Sequence, residues 1–168
     1  MLVVKPFVDL SRLEIKNFYD LVSKSDMNKE IDNSILWELL YLRQIMSEKD
    51  SKKLSSVELN NKMRLDYVIY NDNDAIGYFC VRRITNKVKI KYELILFINE
   101  ANLDSSIINR LEKELINIKN KYYLPTTIFN LSVSSNNIKM TDILDKSSFK
   151  LIYIDNKTYN IAHKIYEI

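Results

Sequence analysis

Between Val88 and Ile98 apolar and polar positions alternate. Val88, Ile90, Tyr92, Leu94, Leu96 and Ile98 share one face of a predicted strand; Lys89, Lys91 and Glu93 share the other until Ile95 and Phe97 turn it apolar too. A strand that becomes apolar on both faces is expected at the centre of a sheet, covered on both sides. A polar break, NEANLDSS, follows. Ile107 or Ile108, Leu111, Leu115, Ile118 and Tyr122 then recur at helical spacing, giving one face that must pack on a sheet. Asp104 or Ser105 is the expected N-cap. Strand, tight loop and helix start is the arrangement that presents backbone N–H groups to an anion.

The same patterning divides the rest of the chain. Leu2–Phe7 reads as a strand ended by Pro6, and Ser11-Arg-Leu-Glu14 is a capping box opening a helix with Leu10, Leu13, Phe18, Leu21 and Val22 inward. Asn33 is placed to cap a second helix, Ser34–Glu48, on which Trp37 and Tyr41 form a side stripe fit for core, a dimer contact or a substrate wall. Ser47–Lys62 reads as a solvated connection, with a second capping box at Ser55–Glu58. Leu65–Asn71 and Ala75–Ile84 form a hairpin whose Asn/Asp turn supplies the left-handed positions that glycine usually fills. Thr126–Val133 reads as a strand after Pro125, Asn136 or Asn137 caps a helix to about Lys146, and Phe149–Ile154 with Thr158–Ile168 closes the chain as a hairpin. The order is strand, two helices, three strands, helix, strand, helix, two strands. This predicts an α+β fold, a mixed, mostly antiparallel sheet of about seven strands with helices on both faces. The fourth and fifth strands, near Ile98 and Thr127, are expected to splay at their C-terminal ends.

Composition narrows the function classes. With 168 residues, 46% apolar and 28% charged, the chain is expected to be one globular domain, 1–168. Twenty-five basic against 22 acidic residues give a net charge of +3, too balanced to argue for a nucleic-acid or membrane partner. No apolar run approaches the ~20 residues of a membrane span, and MLVVKPF reads as a first strand and not a signal peptide. Gly77 is the only glycine, which rules out a P-loop and a Rossmann fingerprint as patterns. One Cys and one His leave no four-ligand zinc site, no metal is expected, and a lone Cys fits a reducing cytoplasm.

The element order resembles the GNAT superfamily of acyl-CoA-dependent N-acyltransferases over essentially the whole chain. DAIGYFCVRR is similar to the family's third strand, where a glycine-aromatic pair follows the hairpin turn, and YELILFIN with its loop and helix is similar to the fourth, whose backbone binds pantetheine. NIKMTDILDKSSF, Asn137–Phe149, is similar to the family's Asn-x-x-small-x-x-Leu-Tyr-x-x-x-Gly-Phe helix in its first Asn and last Phe. The resemblance implies acetyl-CoA or another acyl-CoA as co-substrate, transfer of an acyl group to a small-molecule or peptide amine, and a cytoplasmic enzyme, with homodimerisation open. It places Phe97, Ile98, Asn99, Leu103, Asp104, Ser105, Ser106, Ile107 and Asn137 along the cofactor. Where members carry an Arg/Gln-x-x-Gly-x-Gly/Ala loop, this chain has Leu103-Asp-Ser-Ser-Ile-Ile108, and an Asp104 carboxylate there would satisfy the amides and repel a diphosphate. The tyrosine that protonates the thiolate in many members falls at Leu144, and the glycine before the phenylalanine is Ser148. A GNAT-like module that binds or dimerises without CoA chemistry is the alternative that this loop suggests.

Acyl transfer to an amine needs a neutral amine, an oxyanion donor and an acid for the thiolate. Glu93 stands where its strand face changes from lysines to Ile95 and Phe97, a setting that lifts a carboxylate toward neutrality and suits a base; an ion pair with Lys89, Lys91 or Arg82 is the structural alternative. For the acid, Tyr78 and the helix tyrosine Tyr41 are the candidates, neither singled out by its surroundings. A Cys80–His163 dyad fails if two strands separate its members, and a small apolar core cysteine is the better reading.

Overall fold

The structure, a computed structural model, describes residues 1–27, 31, 34–36, 39, 64–85, 90–156 and 162–168. β1 (Leu2–Pro6) leads through a 3-10 turn into α1 (Arg12–Lys24); β2 (Arg64–Asn71), β3 (Asp74–Thr85) and β4 (Ile90–Ile98) follow. After a second 3-10 turn come α2 (Ser105–Tyr122), β5 (Phe129–Ser134), α3 (Ile138–Asp145), β6 (Lys150–Asp155) and β7 (His163–Glu167). The strands form one sheet in the order β1-β2-β3-β4-β5-β7-β6. Its β4–β5 pair is parallel, while β1–β2, β2–β3, β5–β7 and β6–β7 are antiparallel. The mixed sheet predicted from the pattern is therefore present, with the doubly apolar strand at its middle. The predicted second helix is helical at residues 34–36 and 39. Its remainder with Trp37 and Tyr41, the connection 47–62 with its capping box, Val88, Lys89 and residues 157–161 lie outside the described residues.

The chain forms two compact units, Met1–Arg82 with Leu96–Asn99 and Arg83–Ile95 with Glu100–Ile168. In the first, the Ser11–Glu14 capping box is complete: the Glu14 amide donates to Ser11 Oγ and the Ser11 amide to Glu14 Oε1, both at 3.2 Å. Phe18 packs edge-on against Phe7 and tilted against Tyr78. Leu13, expected on the same face, is exposed. It precedes Phe18 by five residues, which at about 100° per residue sets it about 140° away around the helix. The hairpin turn uses Asp72 at φ 54°, the left-handed position expected of its Asn/Asp tetrad. Gly77 is needed for proximity: a Cβ there would lie 2.8 Å from the Phe97 carbonyl oxygen and 3.2 Å from Ile69 Cδ1.

In the second unit α2 buries Ile107, Ile108, Leu111, Leu115 and Ile118, each contributing on the order of 1.5–3 kcal/mol gross. Its C-terminal end packs through Tyr123 onto Tyr92 and Phe129, three rings meeting edge-on. β5 starts at Phe129 and not at Thr126, because the Thr127 amide closes a turn onto the Leu124 carbonyl at 2.9 Å. Its C-terminal end is Ser134 and not Thr127, which lies before the strand. The β4–β5 ladder comprises Tyr92↔Phe129, Glu93↔Asn130 and Leu94↔Leu131, and among the described residues it goes no further. β4 continues to Ile98 and β5 to Ser134 without that pairing.

Candidate functional site

The last turns of β4 carry the first predicted site residues. Glu93 is half-buried in the short ladder, opposite Asn130. Phe97 and Ile98 are buried, and the Asn99 amide donates to the Ile76 carbonyl at 2.8 Å. The 3-10 turn Glu100–Asn102 then delivers buried Leu103 and exposed Asp104 to the start of α2.

Asp104 is the N-cap. Its Oδ1 accepts from the Ile107 amide at 3.0 Å and from Ser106 Oγ at 2.6 Å. The Ser106 hydroxyl first, and the Ile107 amide second, hold this carboxyl below its ordinary range, so it is an anion at neutral pH. The helix start therefore already holds one negative charge.

Beside it lies a pocket of about 480 Å³, walled on one side by Leu103, Asp104 and Ser105 and on the other by Lys139 and Asp142 of α3 and its C-cap Lys146. Lys139 Nζ donates to the Glu100 carbonyl at 2.9 Å. Glu112 of α2 accepts from the Ser148 amide and hydroxyl at 2.9 and 3.2 Å, fixing the segment after α3 to α2. Of the predicted cofactor residues, Leu103, Asp104 and Ser105 meet here. Ser106 and Ile107 complete the cap, and Asn137 caps α3 by accepting from the Met140 amide at 3.3 Å. Leu144, where the resemblance expects a tyrosine, is fully buried. Sequence reasoning missed Lys139 and Lys146, although seven residues apart they share one face of the predicted helix.

Tyr78 belongs to a different constellation. Its ring is 0% exposed; its hydroxyl donates to Asp66 Oδ1 and accepts from Arg64 Nη2 at 3.3 Å. Arg64 grips Asp66 through Nε at 3.0 and 2.9 Å and Nη2 at 2.8 Å, and donates to the Ile35 carbonyl at 2.8 Å. Both side chains of this pair are under 10% exposed. Burial alone would lower the Arg64 pKa, but the Asp66 carboxylate more than offsets it and raises it. Burial and then Asp66 push the Tyr78 hydroxyl well up. Burial, again with Asp66, likewise keeps the Cys80 thiol protonated. The signal for this network was present in Arg64-Leu-Asp66, two opposite charges on one face of a strand otherwise apolar. Among the described residues no cluster of His, Cys, Asp and Glu could hold a metal ion, and no helix is long and apolar enough to cross a membrane.

No family model matches this sequence and no curated protein matches it. Its fold does match solved structures. A probable acetyltransferase from Staphylococcus epidermidis superposes with a TM-score of 0.65 at 14% identity, over 100% of this chain and 98% of that one. The N-acetyltransferase PseH of Campylobacter jejuni, solved in complex with acetyl coenzyme A, gives 0.57 at 14% identity over 100% and 98%. An acetyltransferase of the GNAT family from Streptococcus pneumoniae gives 0.61 at 12% identity over 100% and 99%. The fold of this chain resembles that of GNAT-family acetyltransferases along its whole length.

Proposed function

We propose that this chain, as a single catalytic domain, transfers an acyl group, acetyl in the first instance, from CoA to an amine in the cytoplasm. The observation that carries the reading is the three-pair β4–β5 ladder. Among the described residues that ladder stops at Leu94, and a pantetheine arm with two amides would pair with the β4 backbone past that point. The residues present fit the rest of CoA in an altered form. The first amides of α2 are capped by Asp104, but a pocket of about 480 Å³ with Lys139 and Lys146 on its far wall adjoins them. The likeness to a structure solved with acetyl coenzyme A supports the same reading.

The bound thioester would supply the activated acyl carbon. Glu93 takes the proton of the acceptor ammonium, directly or through water, from a half-buried position next to apolar Ile95 and Phe97. Tyr78 is proposed to return a proton to the departing sulfur. Its hydroxyl hydrogen is held by Asp66, so delivery requires that bond to open. The acceptor is a small-molecule or peptide amine and not a nucleic acid.

The test is release of free CoA thiol from acetyl-CoA in the presence of a panel of polyamines, amino sugars and peptide N-termini. Acceptor-dependent release that saturates with acetyl-CoA is expected. Absence of release with every amine class, together with absence of acetyl-CoA binding, would overturn the reading.

A further inference from the structure

We infer that the phosphates of the acyl donor are held by the side chains of Lys139 on α3 and of Lys146 at its C-cap, and not by the first amides of α2; this rests on the acyltransferase reading above. A helix start binds a diphosphate when its amides are uncapped and no fixed anion stands beside them. Here the Ile107 amide is committed to Asp104 Oδ1, and the Ser106 hydroxyl donates to that same oxygen. A phosphate placed there would meet a carboxylate and be repelled by it.

The opposite wall has the opposite character. Lys139 stands in the first turn of α3 and Lys146 is its C-cap, and both line the pocket. Lys139 uses one donor on the Glu100 carbonyl, and an ammonium has three. Asp142 lies between them on the same wall, so the four charged groups of the pocket are Asp104, Asp142, Lys139 and Lys146. Asp104 is turned into its own helix start, where the macrodipole partly offsets it, whereas the lysines keep donors for a ligand. The Glu112–Ser148 bonds hold the end of the α3 segment against α2, so the two walls keep their spacing. Binding by ammonium point charges is less directional than binding by amides, and more sensitive to salt.

Calorimetry with two probes, acetyl-CoA and inorganic pyrophosphate, on the parent, Lys139→Gln/Lys146→Gln and Asp104→Asn at low and moderate salt decides the matter. The double variant should bind acetyl-CoA about tenfold or more weakly with a flatter salt dependence, and Asp104→Asn, which keeps a cap, should bind several-fold tighter. If the parent binds acetyl-CoA and the double variant binds it equally well, the lysine assignment is overturned and the acyltransferase reading stands. If pyrophosphate binds through the lysines and acetyl-CoA does not bind, the lysine site stands and the acyltransferase reading falls. If the parent binds neither probe, both fall.

Discussion

Two aspartates of this chain show how far the same group can differ in consequence. Asp66 lies in the β2–β3 pair with its side chain 7% exposed, gripped by Arg64 and by the Tyr78 hydroxyl. Asp104 lies at the exposed start of α2 and accepts from one amide and one hydroxyl. At the first site water cannot replace a lost partner, so the network specifies how β2, β3 and the helical segment at Ile35 come together. At the second, water can replace nearly everything except the charge itself. Buried charge therefore fixes the fold, and exposed charge tunes what the fold can bind.

The sharpest way to break that contrast is Arg64→Met. It leaves Asp66 buried without its cation and should cost about 3–5 kcal/mol in denaturant unfolding, with much of the loss recovered in Arg64→Met/Asp66→Leu. A cost near that of a surface ion pair, under about 1 kcal/mol, would show that water reaches Asp66. Glu93, half-buried, stands between the two extremes. Glu93→Gln should lower turnover by about 10²-fold, or about 2.7 kcal/mol of barrier, with little change in acetyl-CoA affinity. Unchanged turnover assigns it to a structural ion pair.

Tyr78→Phe separates fold from chemistry within the buried network. Removing the donor to Asp66 should cost about 1–3 kcal/mol of stability. If Tyr78 is also the acid, turnover falls beyond any change in folded fraction, and falls less for acyl donors whose thiol leaves readily. The smallest effect belongs to the cap. Asp104→Ala should cost about 1 kcal/mol. Because the folded carboxyl is held below the ordinary aspartate value of about 4, this contribution is fully present above about pH 4 and is lost as pH falls through the lowered folded value. The parent and the alanine variant should thus converge in stability in acid, read from thermal melts across pH; a gap that persists at the lowest pH would mean the cap acts through its hydrogen bond alone.

Much of the fold was legible because its signals are local. The Ser11–Glu14 box, the Asp104 and Asn137 caps and the left-handed turn at Asp72 each follow from a few neighbouring residues. Thr126, Thr127 and Ile128 favour strands and predict too early a start for β5, whereas Pro125 and Thr126 form the turn that the Thr127 amide closes onto Leu124. Leu13 was drawn inward by its hydrophobicity, although its helical phase sets it outward. The site was legible along β4 and its loop, where periodicity ends in a break. It was not legible at Lys139 and Lys146, since charges on a helix face ordinarily mark solvent and only the facing α2 start turns that face into a pocket wall. With 11 tyrosines in the chain, Tyr78 as a candidate acid carries no local signal of Asp66 across the β2–β3 ladder.

The central claim is that β4 beyond Leu94 and the adjoining loop receive an acyl-CoA. The most direct test is the melting temperature of the intact chain with acetyl-CoA, with CoA and with neither. At a ligand concentration of about 100 Kd, stabilisation of about 2.7 kcal/mol should raise Tm by about 5–10 °C for a chain of this size. The shift should persist in Glu93→Gln, which is altered in chemistry and not in binding. A melting temperature that acetyl-CoA leaves unmoved at millimolar concentration would contradict the account and favour a GNAT-like module that binds something else.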